Sequence, residues 1–167
     1  ASEEEDIEVI FDGEVVKSGI YAVGDGSWST TIAVPPVRAG RFVIDALGET
    51  TRARNVPDVT FTVVPGISVD PISAYIDDTI NIKGGGFAPG ESGIRVYFEG
   101  AAVTSSIITA NADGYWESSF ELPTSTYGSH TVSASGETTQ PAVTTSLSTK
   151  AELLDISPAE GAPGDSI

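Results

Sequence analysis

Short apolar runs alternate with polar residues along most of the chain. IEVIF at 7–11, TINIK at 79–83 and IRVYF at 94–98 each place every second side chain on one face. That period of two is the mark of a half-buried β-strand. No window of a dozen residues keeps apolar positions at i, i+3, i+4 and i+7 without a Gly, a Pro or a β-branched break. The pattern predicts an all-β fold made of short strands.

The alternation repeats itself. Ile7, Val9, Phe11, Gly13, Val16, Ser18 and Ile20 return 87 positions on as Ile94, Val96, Phe98, Gly100, Val103, Ser105 and Ile107. One inserted residue changes the offset to 88. Asp25, Gly26, Trp28, Pro35, Gly40, Ala46, Gly48, Glu49, Thr50 and Thr51 then return as Asp113, Gly114, Trp116, Pro123, Gly128, Ala134, Gly136, Glu137, Thr138 and Thr139. These 17 identities over residues 7–51 compare with about three expected by chance at ordinary composition. A weaker match links 153–167 to 66–80, with Pro158, Asp165 and Ile167 against Pro71, Asp78 and Ile80. The phase divides the chain into 1–65, a repeat without its first two strands; 66–150, a complete repeat; and 151–167, the opening of a third.

Seven strands are predicted in the complete copy, near 67–70, 78–83, 94–99, 102–109, 115–122, 129–135 and 142–148. Gly84-Gly85-Gly86, Pro89-Gly90, Glu99-Gly100, Asp113-Gly114 and the 123–128 stretch separate them. Seven short strands in such a length suit an immunoglobulin-like β-sandwich. The expected core holds Trp116, Phe98 and Phe120, with Trp28, Phe11 and Ile32 as their counterparts in the first copy.

The runs GGGFAPGESGIRVYFEG (84–100), ADGYWESSFELP (112–123) and YGSHTVSASGE (127–137) resemble bacterial and archaeal surface immunoglobulin-like tandem repeats, in particular IPT/TIG-type domains. The opening of such repeats corresponds to Pro71 through Phe87, the hairpin to Asp113–Trp116 and the late strand to Gly128–Ala134. The resemblance implies a non-enzymatic stalk, S-layer, filament or adhesive segment of a secreted or cell-surface prokaryotic protein. An accessory module that binds carbohydrate or another ligand for a secreted enzyme is the alternative.

Composition narrows the chemistry. The 167 residues contain no Cys, no Met and one His, with 8 basic against 24 acidic residues and a net charge of −16. Disulfides, thiol nucleophiles and multi-histidine metal sites are excluded. The charge opposes nucleic-acid binding and docking on anionic membranes. No apolar run approaches the roughly 20 residues that span a bilayer.

Individual candidates have mainly structural readings. His130 sits between Ser129 and Thr131 on a predicted strand as an outward polar residue, and no nucleophile elbow accompanies it. The first copy has Arg41-Phe42 where the second has Ser129-His130. Asn111-Ala112-Asp113-Gly114 has half of a calcium-loop pattern, but Phe120 stands where the closing glutamate belongs. A hairpin turn is its expected role. Ca²⁺ with oxygen ligands from Asp70, Asp77, Asp78 or Asp113 is the one metal site the sequence suggests; otherwise no cofactor is expected. Gly84-Gly85-Gly86 lacks the Lys-Ser/Thr and helix of a phosphate loop and is expected to be a flexible bend. Glu3-Glu4-Glu5-Asp6 reads as a solvated charge run.

The ends of the chain fall out of phase with the repeat. One expectation is a fragment of a longer array. The other is strand donation, in which Leu153, Leu154 and Ile156 enter the open first repeat of another copy and assemble it head to tail. Expected partners are therefore neighbouring repeats or copies of the same chain, with a cell-wall or surface polysaccharide as a further possibility.

Overall fold

A computed structural model describes residues 4–151 and Pro163. Among the described residues, twelve strands form three sheets. The first half contributes β1 (Ile7–Phe11), β2 (Glu14–Ile20), β3 (Gly40–Leu47) and β4 (Val59–Val63), in the order β2-β1-β3-β4. A 3-10 turn at Ala53–Asn55 precedes β4. The second half contributes β5 (Gly66–Asp70), β6 (Ser73–Ala74), β7 (Thr79–Gly85), β8 (Arg95–Phe98), β9 (Ala101–Ala102), β10 (Trp116–Glu121), β11 (Gly128–Ser135) and β12 (Val143–Thr149). These make a three-stranded sheet, β10-β7-β5, and a five-stranded sheet, β6-β12-β11-β8-β9. No helix among the described residues is long and apolar enough to cross a membrane.

In the second half the two sheets enclose one core. Val69, Ile80, Ile82, Trp116 and Phe120 from the smaller sheet meet Val96, Phe98, Val132, Ala134 and Leu147 from the larger. Alternation produces this: Thr79–Gly85 buries Ile80 and Ile82 and leaves Thr79, Asn81 and Lys83 exposed. Gly84 stays in the ladder, paired with Trp116. A Cβ at Gly84 would run into the Trp116 indole, so the glycine makes room for the largest core side chain. The expected flexible bend over Gly84-Gly85-Gly86 is thus corrected: β7 runs through Gly85.

The two halves share local geometry at the sequence offset. Phe11 pairs with Glu14 and Phe98 with Ala101. The loops between them, Asp12-Gly13 and Glu99-Gly100, both have positive φ at both positions. This is the primed two-residue turn whose twist suits a hairpin. Val9 pairs with Ala46 as Val96 pairs with Ala134. Asp12 N donates to Val43 O (2.9 Å), and Glu99 N to Thr131 O (3.0 Å).

The observed strands depart from the pattern in three informative ways. The segment 102–109 is not a strand: β9 stops at Ala102, and only an isolated Ile94–Ile108 bridge follows. Thr104 Oγ1 accepts from Val96 N (3.3 Å) and takes a place the ladder would have filled. β6 was not foreseen. In the first half, the counterpart of β10, WSTTIAV at 28–34, is not a strand.

Candidate functional site

Two features stand out from the frame: a pair of carboxylate-held turns and an open edge in the first half. Glu4 and Glu91 lie 87 positions apart, and each carboxylate holds a Gly-Glu-Thr-Thr turn. Glu91 accepts from Thr138 N (2.9 Å), Thr139 N (2.6 Å), Thr139 Oγ1 (2.7 Å) and Ala88 N (2.9 Å). Glu4 accepts from Thr50 N (2.6 Å), Thr50 Oγ1 (2.5 Å), Thr51 N (2.9 Å) and Thr51 Oγ1 (3.1 Å). The backbone around them also corresponds. Ala22 N donates to Glu4 O and Ala110 N to Glu91 O, at 3.0 and 2.9 Å.

Both carboxyls sit far below the ordinary value of 4.5, at about 2. For Glu4, the Thr50 hydroxyl and the Thr51 and Thr50 amides favour the charged form. For Glu91, burial pushes upward, and the donors from Ala88, Thr139 and Thr138 outweigh it. The expectation of a solvated run at Glu3–Asp6 is corrected at Glu4, which is a structural anion. The signal in the sequence is the 87-residue offset between Glu4 and Glu91 together with the doubled G-E-T-T.

The open edge is at Trp28. Trp28 is 40% exposed, whereas Trp116 at the matching position is 3% exposed. Phe11, Phe98, Trp116 and Phe120 are buried; Trp28 departs from its expected place in the core. The two sites differ in their neighbours among the described residues. In the second half, β10 is covered along its length by β7, from Trp116–Gly84 to Glu121–Thr79. Among the described residues nothing pairs with 28–34, and no backbone hydrogen bond joins 28–36 to other backbone. Beside Trp28 lies an open cavity of about 330 Å³, lined by Ile7, Ala46, Val56 and the clamp residues Glu4 and Thr51. In the second half, Phe87 is fully buried and packs edge-on against Trp116, with centroids 5.4 Å apart.

The remaining candidates are held by turns and packing. Asp78 Oδ2 accepts from Tyr75 N (2.8 Å), and Asp77 has φ of 69° in the same turn. Asp70 precedes Pro71 at the end of β5. Asp113 N and Tyr115 N both donate to Asn111 Oδ1 (2.9 Å each), closing the hairpin. No group of three or more His, Asp or Glu side chains suited to a metal occurs among the described residues. His130 does not point outward as expected. It shares the face of buried Val132 and Ala134 and stacks obliquely on Phe98 at 5.1 Å. Its Nε2 lies 2.7 Å from Thr126 O, and its Nδ1 lies 3.6 Å from Glu99. It fills the position of Phe42, which stacks on Phe11 at 5.2 Å. The donor residues Leu153, Leu154 and Ile156 lie outside the described residues.

No protein-family model and no curated protein matches this sequence. Among solved structures, the chain is similar to a Corynebacterium diphtheriae protein assigned as membrane-anchored (16% identity, TM-score 0.42, covering 95% of this chain and 46% of that one). It is also similar to the Yersinia pseudotuberculosis adhesin InvE (11%, TM-score 0.38, 88% and 49%) and to the D00-D0 domain of intimin (15%, TM-score 0.41, 86% and 85%). The chain spans about half the length of the first two. At such similarity the reading of this chain rests on its own residues.

Proposed function

We propose that this chain is a load-bearing stretch of tandem immunoglobulin-like repeats in a secreted or surface-exposed protein, with a structural or adhesive role and no catalytic one. The two halves form successive repeats, and neighbouring repeats or further copies of the chain are the partners. The observation that carries this reading is the parallel pairing of β6, which follows β5 at the start of the second half, with β12, its last strand. β6 runs parallel to β12, with Ser148 N donating to Ile72 O (3.0 Å) and Lys150 N to Ala74 O (2.7 Å). Tension that reaches β6 through β5 and leaves at the end of β12 pulls these two parallel strands in opposite directions along their length. The bonds between them are then loaded in shear and break together, rather than unzipping one at a time. The first half has no such pair among its described residues. A short connection at Val64-Pro65 passes tension from β4 to β5. Contact at Ala39 N to Gly86 O (3.1 Å) ties the halves together beside it.

Single-molecule stretching tests this. The half Gly66–Thr149 is expected to open in one discrete event, its chain reaching about 285 Å when extended at roughly 3.4 Å per residue. The first half is expected to give way earlier, at lower force. Smooth extension with no discrete event would overturn the load-bearing reading.

A further inference from the structure

The two halves meet at more than the connector between them. We propose that the end of β7 in the second half is an interaction surface for the loop at 38–39 of the preceding repeat, and that this joint holds successive repeats at one fixed angle. The joint presupposes the tandem-repeat reading of the two halves and adds stiffness to it.

Three contacts build the joint. The first is at the connector, two residues, Val64-Pro65, between β4 and β5. Proline fixes its own φ and confines the residue before it to extended backbone, so this link bends little. The end of β7 lies against it: a Cβ at Gly86 would come within 2.8 Å of Val64 O and 2.9 Å of Pro65 Cα. The second contact is the loop before β3, which reaches across. Arg38 forms a parallel bridge with Gly86, and Ala39 N donates to Gly86 O (3.1 Å). The third comes from the Asp113-Gly114 turn. A Cβ at Gly114 would lie 3.2 Å from Arg38 Cα. Phe87 N donates to Gly114 O (3.1 Å) and fastens that turn to the residue after Gly86.

A connector alone would leave the repeats free to swivel, which is the default for domains joined by a small interface. Here the connector and the 38–39 loop converge on one residue of the second half. Swivelling about Val64-Pro65 must break the Ala39 hydrogen bond or drive the connector into Gly86. Side-chain packing contributes less, because open grooves of about 580 and 420 Å³ flank the joint and both are bordered by Gly86. Close backbone approach therefore sets the angle, and that approach is what requires glycine at 86. The Gly86 φ of 75° is one that asparagine also adopts. The space beside Val64 O, however, takes no Cβ unless the connector shifts.

The test uses the full 167-residue chain in a dilute aligning medium, with residual dipolar couplings measured for the backbone amides of each half. The parent is expected to need a single alignment tensor for both halves. Gly86→Asn keeps the left-handed backbone but adds the Cβ. Ala39→Pro removes the donor to Gly86 O and leaves every residue of the second half in place. In each variant the halves are expected to align separately, with the alignment magnitude of one falling to about half that of the other. Amide shifts away from the joint show whether each half keeps its fold. The two variants alter opposite sides of the joint, so if one disturbs its own half, the other decides. Two tensors in the parent would overturn the proposal, as would a single tensor kept in a variant with both halves folded. Neither result bears on the shear geometry, which the stretching of Gly66–Thr149 reads within one repeat.

Discussion

Glu91→Ala is expected to lower the thermal unfolding midpoint of the second half by about 15 °C. Glu91 and Thr139 are buried, at 5% and 8% exposure. Removing the carboxylate strands the Thr138, Thr139 and Ala88 amides and the Thr139 hydroxyl, all of which donate to it now. Orphaned donors of this kind, with a charged acceptor lost, cost about 3 kcal/mol together. For a unit of this size, each kcal/mol moves the midpoint by roughly 4–8 °C. Glu91→Gln should fall between, because its amide oxygen still accepts while its NH₂ group faces other donors. Circular dichroism melts at neutral pH make the comparison, and a midpoint unchanged by Glu91→Ala would sink the clamp.

The same contact fixes a pH signature. The folded carboxyl, at about 2, lies below its ordinary value of 4.5. A depressed carboxyl contributes stability that is complete above the unfolded value and is lost as pH falls through the folded one. The parent should therefore lose stability between about pH 4.5 and pH 2. Glu91→Gln should show a flatter slope over that window, and melts taken in steps of pH would read it directly.

Much of the frame was legible because alternation and turn chemistry are local. β7, β10, β11 and β12 follow directly from period-two runs. Asp12-Gly13 and Glu99-Gly100 announce their hairpins by residue type alone. What was not legible depended on neighbours. WSTTIAV at 28–34 has the same alternation as β10, yet forms no strand, because a strand needs a partner as well as a pattern. Gly84-Gly85-Gly86 looks like a bend until the Trp116 indole is placed across from it. Glu4 looks like one charge in an acidic run until Thr50 and Thr51 are brought to it across 46 and 47 positions. The clamp could have been found by asking which acidic residues obey the offset. Glu4 does, whereas its neighbour Glu5 corresponds to Ser92.

Trp28 and Trp116 permit a direct measurement of what the covering strand contributes. They occupy matching positions after the same Asp-Gly turn, so their local sequence propensities are alike. Trp116→Ala is expected to cost about 4 kcal/mol, the usual range for emptying an aromatic site in a packed core. It removes the edge-on contact with Phe87 and opens a void against Gly84. Trp28→Ala is expected to cost about 1 kcal/mol or less, because a largely exposed side chain gives up little buried area. Trp116→Phe should cost less than its lost volume suggests. The Trp116 indole N–H is buried without a partner among the described residues, and Phe removes that donor along with the ring atoms. Urea denaturation followed by circular dichroism would separate the cases by midpoint. Equal losses at the two tryptophans would mean that the first half is packed like the second, and the open edge at 28–33 would then have no physical basis. Unequal losses would assign the difference to β7, because the covering strand is what separates the two environments.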